Sequence, residues 1–112
     1  MHRDGIDVDN VQPDDILCDF CAAPAWSAGK PCIEGHQGSL ICGDCLTAAY
    51  KTLVLAREAS DPGKCCLCLE ERDEPAWRGS RQEGVACRRC IKQAAGAMHK
   101  SKDWDWVKPQ NP

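Results

Sequence analysis

Cys42-Gly43-Asp44-Cys45, followed by the run 46–59, decides how this chain is read. Two cysteines with two residues between them stand directly ahead of a helical pattern. Leu46, Tyr50, Leu53 and Val54 recur at the spacing of one helix face, and Ala48, Ala49, Ala56 and Ala59 add helix propensity. Unpaired N–H groups and the positive dipole end of a helix mouth favour thiolate, the form of cysteine that binds metal. The matching pair lies upstream in Cys18-Asp19-Phe20-Cys21. A two-residue gap lets both sulfurs face one tetrahedral ion at about 2.3 Å.

The residues between the pairs, 22–41, hold Pro24, Gly29, Pro31, Gly35 and Gly38, which predicts a hairpin or irregular loop. Ser39-Leu40-Ile41 reads as a short strand returning into Cys42. Ser60-Asp61-Pro62-Gly63 then stops the helix and forms a linker.

The plan recurs. Cys65-Cys66-Leu67-Cys68 is a second knuckle, and Cys87-Arg88-Arg89-Cys90 opens a second helix whose small face is Ile91, Ala94, Ala95 and Met98. The first pairs are offset by 47 residues and the second pairs by 45. Each intervening loop carries Pro-Ala-Trp, at Pro24-Ala25-Trp26 and Pro75-Ala76-Trp77, and both rings are expected to fill small cores. One zinc module has been duplicated. The expected organisation is an acidic flexible tail at 1–15, a first unit at 16–60, a linker at 61–63, a second unit at 64–102 and a Trp-containing tail at 103–112. Val8 and Val11 are the alternative to a free N-terminal tail, as a strand added to a sheet edge.

Composition explains the need for metal. Two units of about 40 residues each lie near the size at which a core no longer suffices, and the chain has one Phe and one Tyr. Ten cysteines supply the staple. Residues 1–7 show no apolar leader and no run reaches a membrane span, so a cytoplasmic, reducing location is expected, where paired cysteines bind metal. The expected ligands are Cys18, Cys21, Cys42 and Cys45 at one zinc ion and Cys65, Cys68, Cys87 and Cys90 at a second. Filled by four cysteines, both sites are structural, because a catalytic zinc keeps one position open for water. Cys65 is preferred to Cys66 because it keeps the two-residue gap. Cys32 and His36 are read as loop residues without a metal role.

Unit one in particular, with Cys18-Asp19-Phe20-Cys21 and Ser39-Leu40-Ile41-Cys42-Gly43-Asp44-Cys45-Leu46, resembles the four-cysteine zinc-binding domain of the bacterial unfoldase ClpX. Unit two resembles it in ligand pattern and spacing. The resemblance implies a small α+β fold of two tandem treble-clef zinc fingers, each a knuckle, a β-hairpin and a helix. It also implies a dimerising module that recruits substrates and adaptor proteins. The ATPase of that family is absent, for the chain has no phosphate-binding loop of its type. Two modules in one chain suggest an intramolecular pseudo-dimer, with a homodimer as the alternative.

The formal charge of −3 is unevenly spread: residues 1–63 carry four basic and ten acidic side chains, residues 64–102 nine and five. An acidic chain is a poor general binder of polyanions, yet Arg78, Arg81, Arg88, Arg89 and Lys92 are candidate nucleic-acid contacts on the basic second unit. Trp104 and Trp106 are candidate anchors for a protein partner. Three histidines without a companion constellation give no catalytic site, and no enzyme activity is expected.

Overall fold

Each cysteine pair at a helix mouth is delivered by a strand, and each strand is one arm of a hairpin. In the computed structural model, which describes residues 1–35, 38–58, 63–71, 76–81 and 84–110, the elements run as β1 (Cys32–Glu34), β2 (Leu40–Cys42), α1 (Gly43–Ala49), β3 (Ala76–Arg78), β4 (Val85–Cys87) and α2 (Arg88–Lys100). α1 continues as a π-helical turn over Tyr50–Leu55. β1 pairs antiparallel with β2 in the register Cys32–Cys42, Ile33–Ile41, Glu34–Leu40. β3 pairs with β4 in the register Ala76–Cys87, Trp77–Ala86, Arg78–Val85. The returning strand begins at Leu40, as the sequence suggests, and the first helix ends earlier than residue 59 with Ala56 N–H bonded to the Lys51 carbonyl and Arg57 at φ +56°. The expected stop at 60–62 and His36 lie outside the described residues.

The duplication is visible bond by bond. Ala22 N–H donates to the Cys18 carbonyl at 2.9 Å and Leu69 N–H to the Cys65 carbonyl at 2.8 Å. Asp19 N–H reaches the Leu40 carbonyl and Cys66 N–H the Val85 carbonyl, both at 2.8 Å. Ala22 and Leu69 both sit at φ +63°, the left-handed turn that brings the second knuckle thiol round. The Asp19 and Cys66 bonds tie each knuckle to the strand that carries the third thiol and leads into the helix bearing the fourth.

The two units do not have separate cores. Phe20, Leu46 and Leu53 from the first unit form one buried cluster with Ile91, Ala95 and Met98 from the second. The contacts between units are reciprocal. The β3–β4 hairpin closes on the first knuckle, where Arg81 N–H and the Ser80 hydroxyl donate to the Phe20 carbonyl and the Arg81 guanidinium to the Asp19 carbonyl. Glycines permit the approach: a Cβ on Gly79 would lie 2.5 Å from the Phe20 carbonyl oxygen, and one on Gly84 2.9 Å from Phe20 Cα. In return, a Cβ on Gly35 of the first hairpin would lie 2.8 Å from the Leu67 carbonyl oxygen of the second knuckle.

Segments expected as tails carry contacts. The Met1 ammonium lies 2.6 Å from Asp19 Oδ1, which also accepts the Leu40 N–H. His2 bridges Ile16, and Pro13–Asp15 forms a 3-10 turn. Val8 and Val11 remain exposed and add no strand. No helix among the described residues is long and apolar enough to cross a membrane.

Candidate metal centres

The sequence brings four sulfurs together twice. Sγ atoms of Cys18, Cys21, Cys42 and Cys45 all lie within 4.8 Å of one another, and so do those of Cys65, Cys68, Cys87 and Cys90. Four sulfurs at about 2.3 Å from one centre would sit about 3.8 Å apart. Cys21 and Cys42 are 3.7 Å apart and Cys68 and Cys87 4.0 Å, so the cages have the size of a tetrathiolate zinc site. No disulfide joins any of the ten cysteines.

Local folding aims backbone donors at the sulfurs. Cys18 Sγ accepts from Phe20 N–H and Cys42 N–H, both at 3.4 Å, and Cys45 N–H points to Cys42 Sγ at 3.5 Å. In the second cage Cys65 Sγ accepts from Leu67 N–H at 3.3 Å and Cys87 N–H at 3.4 Å. Such donors stabilise thiolate. Hydrogen bonds from the Cys42 and Cys45 thiols hold Cys18 far below the ordinary thiol range. Sharing with Cys18 pushes Cys42 up to about 12 and raises Cys45 as well. In the second cage burial raises Cys87 and Cys90, and the Cys65 charge adds to it. The bare cages therefore resist carrying four negative charges, and a dication is the natural compensation. The donor set fits zinc, and two such cages are compatible with two zinc ions. Cys18 and Cys65 are fully buried and Cys42, Cys45, Cys87 and Cys90 nearly so, and each cage offers four protein sulfurs.

The remaining cysteines stand apart from both cages. Cys32 is buried on β1 opposite Cys42, and burial raises its thiol. Cys66 occupies the knuckle position at which unit one has Asp19, and burial raises it too.

Other expectations fare differently. Trp106 is not available as a partner anchor: it is 9% exposed, and its indole Nε1 donates to the Gly43 carbonyl at 3.2 Å and to Thr47 Oγ1 at 2.9 Å. The tail after α2 thus returns to the first unit, and Trp104 packs half-buried against the core. The slot for Trp106 exists because residue 43 has no side chain: a Cβ there would meet Trp106 Cδ1 at 3.2 Å and Pro31 Cβ at 3.0 Å. Trp77 does fill a core, with its ring 5.6 Å from Phe20, but Trp26 is 48% exposed on a surface turn. Of the five candidate nucleic-acid contacts, Arg81 is bonded to the first knuckle and Arg88 Nε donates to the Leu53 carbonyl at 3.2 Å. Arg78, Arg89 and Lys92 are exposed. Phe20, Gly79 and Gly84 carry no sequence signal as contact residues between units beyond the glycines themselves.

No protein-family model matches this chain, and neither a curated protein nor a solved structure does. The fold and the two cages define a small α+β protein with two four-cysteine clusters that could each hold a metal ion.

Proposed function

We propose that the protein is a non-catalytic, zinc-binding interaction module or accessory subunit, built from two treble-clef zinc fingers packed as an intramolecular pseudo-dimer. The observation that carries this reading is the make-up of both cages: four buried or half-buried cysteines on each would complete the coordination of one zinc ion, which supports a structural role. Zinc would serve folding, and Cys18, Cys21, Cys42 and Cys45 would hold one ion while Cys65, Cys68, Cys87 and Cys90 hold the other. The knuckle, hairpin and helix order of each unit supports the treble-clef assignment, and the reciprocal hairpin-to-knuckle contacts support the pseudo-dimer. The resemblance to the ClpX zinc-binding domain then suggests recruitment of other proteins.

Elemental analysis of protein purified without chelator, followed by metal-dependent partner crosslinking, tests the reading. Two zinc ions per chain and a crosslinked protein partner lost on chelation are expected. Metal-free protein with intramolecular disulfides would overturn it. Capture of nucleic acid with steep salt dependence would replace it with recognition through Arg78, Arg89 and Lys92.

A further inference from the structure

The duplication allows one half of the molecule to be compared with the other. With Cys42 placed on Cys87, the strand registers put Ile33 at the position of Trp77 and Gly35 at that of Gly79. The knuckles put Leu67 at the position of Phe20. Where the second hairpin meets the first knuckle, Trp77 and Phe20 form a tilted ring pair with centroids 5.6 Å apart. Where the first hairpin meets the second knuckle, two aliphatic side chains stand instead, and a cavity of about 460 Å³ lies over them. Ile33, Gly35, Leu67 and Ala94 line it together with Glu34, Glu70 and Arg89, and Cys68 and Cys90 of the second cage form part of its wall. Its volume falls within the range of ordinary ligand pockets.

The first unit does possess the ring its counterpart uses. Pro75-Ala76-Trp77 delivers Trp77 from a strand, whereas in Pro24-Ala25-Trp26 the tripeptide falls seven residues ahead of Ile33. Ala25 is buried there, but the Trp26 ring projects from a turn closed by Ala28 N–H to the Pro24 carbonyl and Gly29 N–H to the Trp26 carbonyl. An aromatic-sized cavity therefore lies where the first hairpin meets the second unit, and the first unit has an exposed aromatic side chain that does not fill it. An indole half in water retains much of its burial energy for a later contact.

We propose that the cavity between β1, the second knuckle and α2 receives Trp26 from a second copy of this chain. The lining carries two acidic side chains, Glu34 and Glu70, against one basic, Arg89, and Lys30 beside the Trp26 turn complements that balance, which favours this turn over an acidic segment. Exchange of the two rings between two copies makes a self-complementary pair. The cavity shares a wall with the second cage through Cys68 and Cys90, so the test uses the metal-loaded chain; self-association is nevertheless independent of the recruiting role proposed above, which concerns other proteins.

Sedimentation equilibrium of the zinc-loaded full chain, from low to high micromolar concentration, tests it with two variants. Wild type is expected to shift from one chain to two with rising concentration. Trp26→Ala, at an exposed position, should weaken the dimer about tenfold or more. Ile33→Trp should fill the cavity from within, as Trp77 fills its counterpart, and keep the chain monomeric with its metal content intact. A wild type that stays monomeric throughout overturns the proposal, as does a dimer that Trp26→Ala leaves unchanged. A monomeric wild type that binds a free peptide of residues 24–30, with binding lost in Ile33→Trp, assigns the cavity to a foreign aromatic segment and equally overturns self-association.

Discussion

Cys42 has two tasks: its sulfur faces Cys21 in the cage, and the same Sγ caps α1 by accepting Cys45 N–H. Serine in its place removes the thiolate from both. Cys42→Ser is therefore expected to lose the zinc of the first cage and Cys87→Ser that of the second, each lowering the helical signal beyond its own unit because the two share one core; metal content and helical circular dichroism read both. The scale of the loss follows from structural zinc itself, about 10–16 kcal/mol of apparent binding energy in small peptides. Cys32→Ala and Cys66→Ser should each retain two zinc ions, because neither sulfur belongs to a cage. These assignments were legible in the sequence because ligand geometry is local: two residues between thiols and a helix start are all that a knuckle needs. Trp106 was not legible in this way. Its site depends on a missing side chain at Gly43, 63 residues earlier, and on a hydroxyl at Thr47 that no spacing rule connects to it. Trp26 escaped for the opposite reason. Pro-Ala-Trp occurs in both loops, but only the second copy places its Trp on a strand.

At the scale of elements, α1 and α2 start alike and differ at the first residue. Gly43 leaves room for the Trp106 ring, while at the equivalent position Arg88 reaches across to the Leu53 carbonyl. Gly43→Ala is expected to destabilise the protein by about 1–3 kcal/mol, the usual range for overpacking, and to move Trp106 into water. A lower denaturation midpoint with a red-shifted tryptophan emission would show it. Gly96→Ala is the contrasting change within a helix: a Cβ there meets nothing within 4 Å, so the variant should gain about 0.4–1 kcal/mol. The helices themselves were readable from their periodicity, and Leu46, Leu53, Ile91 and Met98 are buried as that pattern requires. The π-helical form of Tyr50–Leu55 was not, because the same apolar residues satisfy an α-helical pattern.

Across the whole molecule the two units share one buried cluster and touch through paired hairpin-to-knuckle contacts. Damage to one should reach the other. Gly79→Ala would drive a methyl group against the Phe20 backbone, which has no rotamer to give way. Its cost is expected at or above the upper end of about 1–3 kcal/mol, with both units melting at a lower temperature rather than the second alone. Thermal unfolding followed by helical signal and by zinc release, together, measures whether the units remain coupled. The sequence announced two modules and their order, but the surface by which they meet lies in glycines and carbonyls that carry no pattern.

The seat of Trp106 on α1 also bears on how the chain is made. A polypeptide leaves the ribosome from its N-terminus, and domains generally fold in that order as they emerge. Here the first knuckle, hairpin and helix emerge early, yet the indole that bonds Gly43 and Thr47 is translated some sixty residues later. During synthesis the earlier half stands with an open apolar slot until the later half is nearly complete, so the first module to appear is the last to be finished.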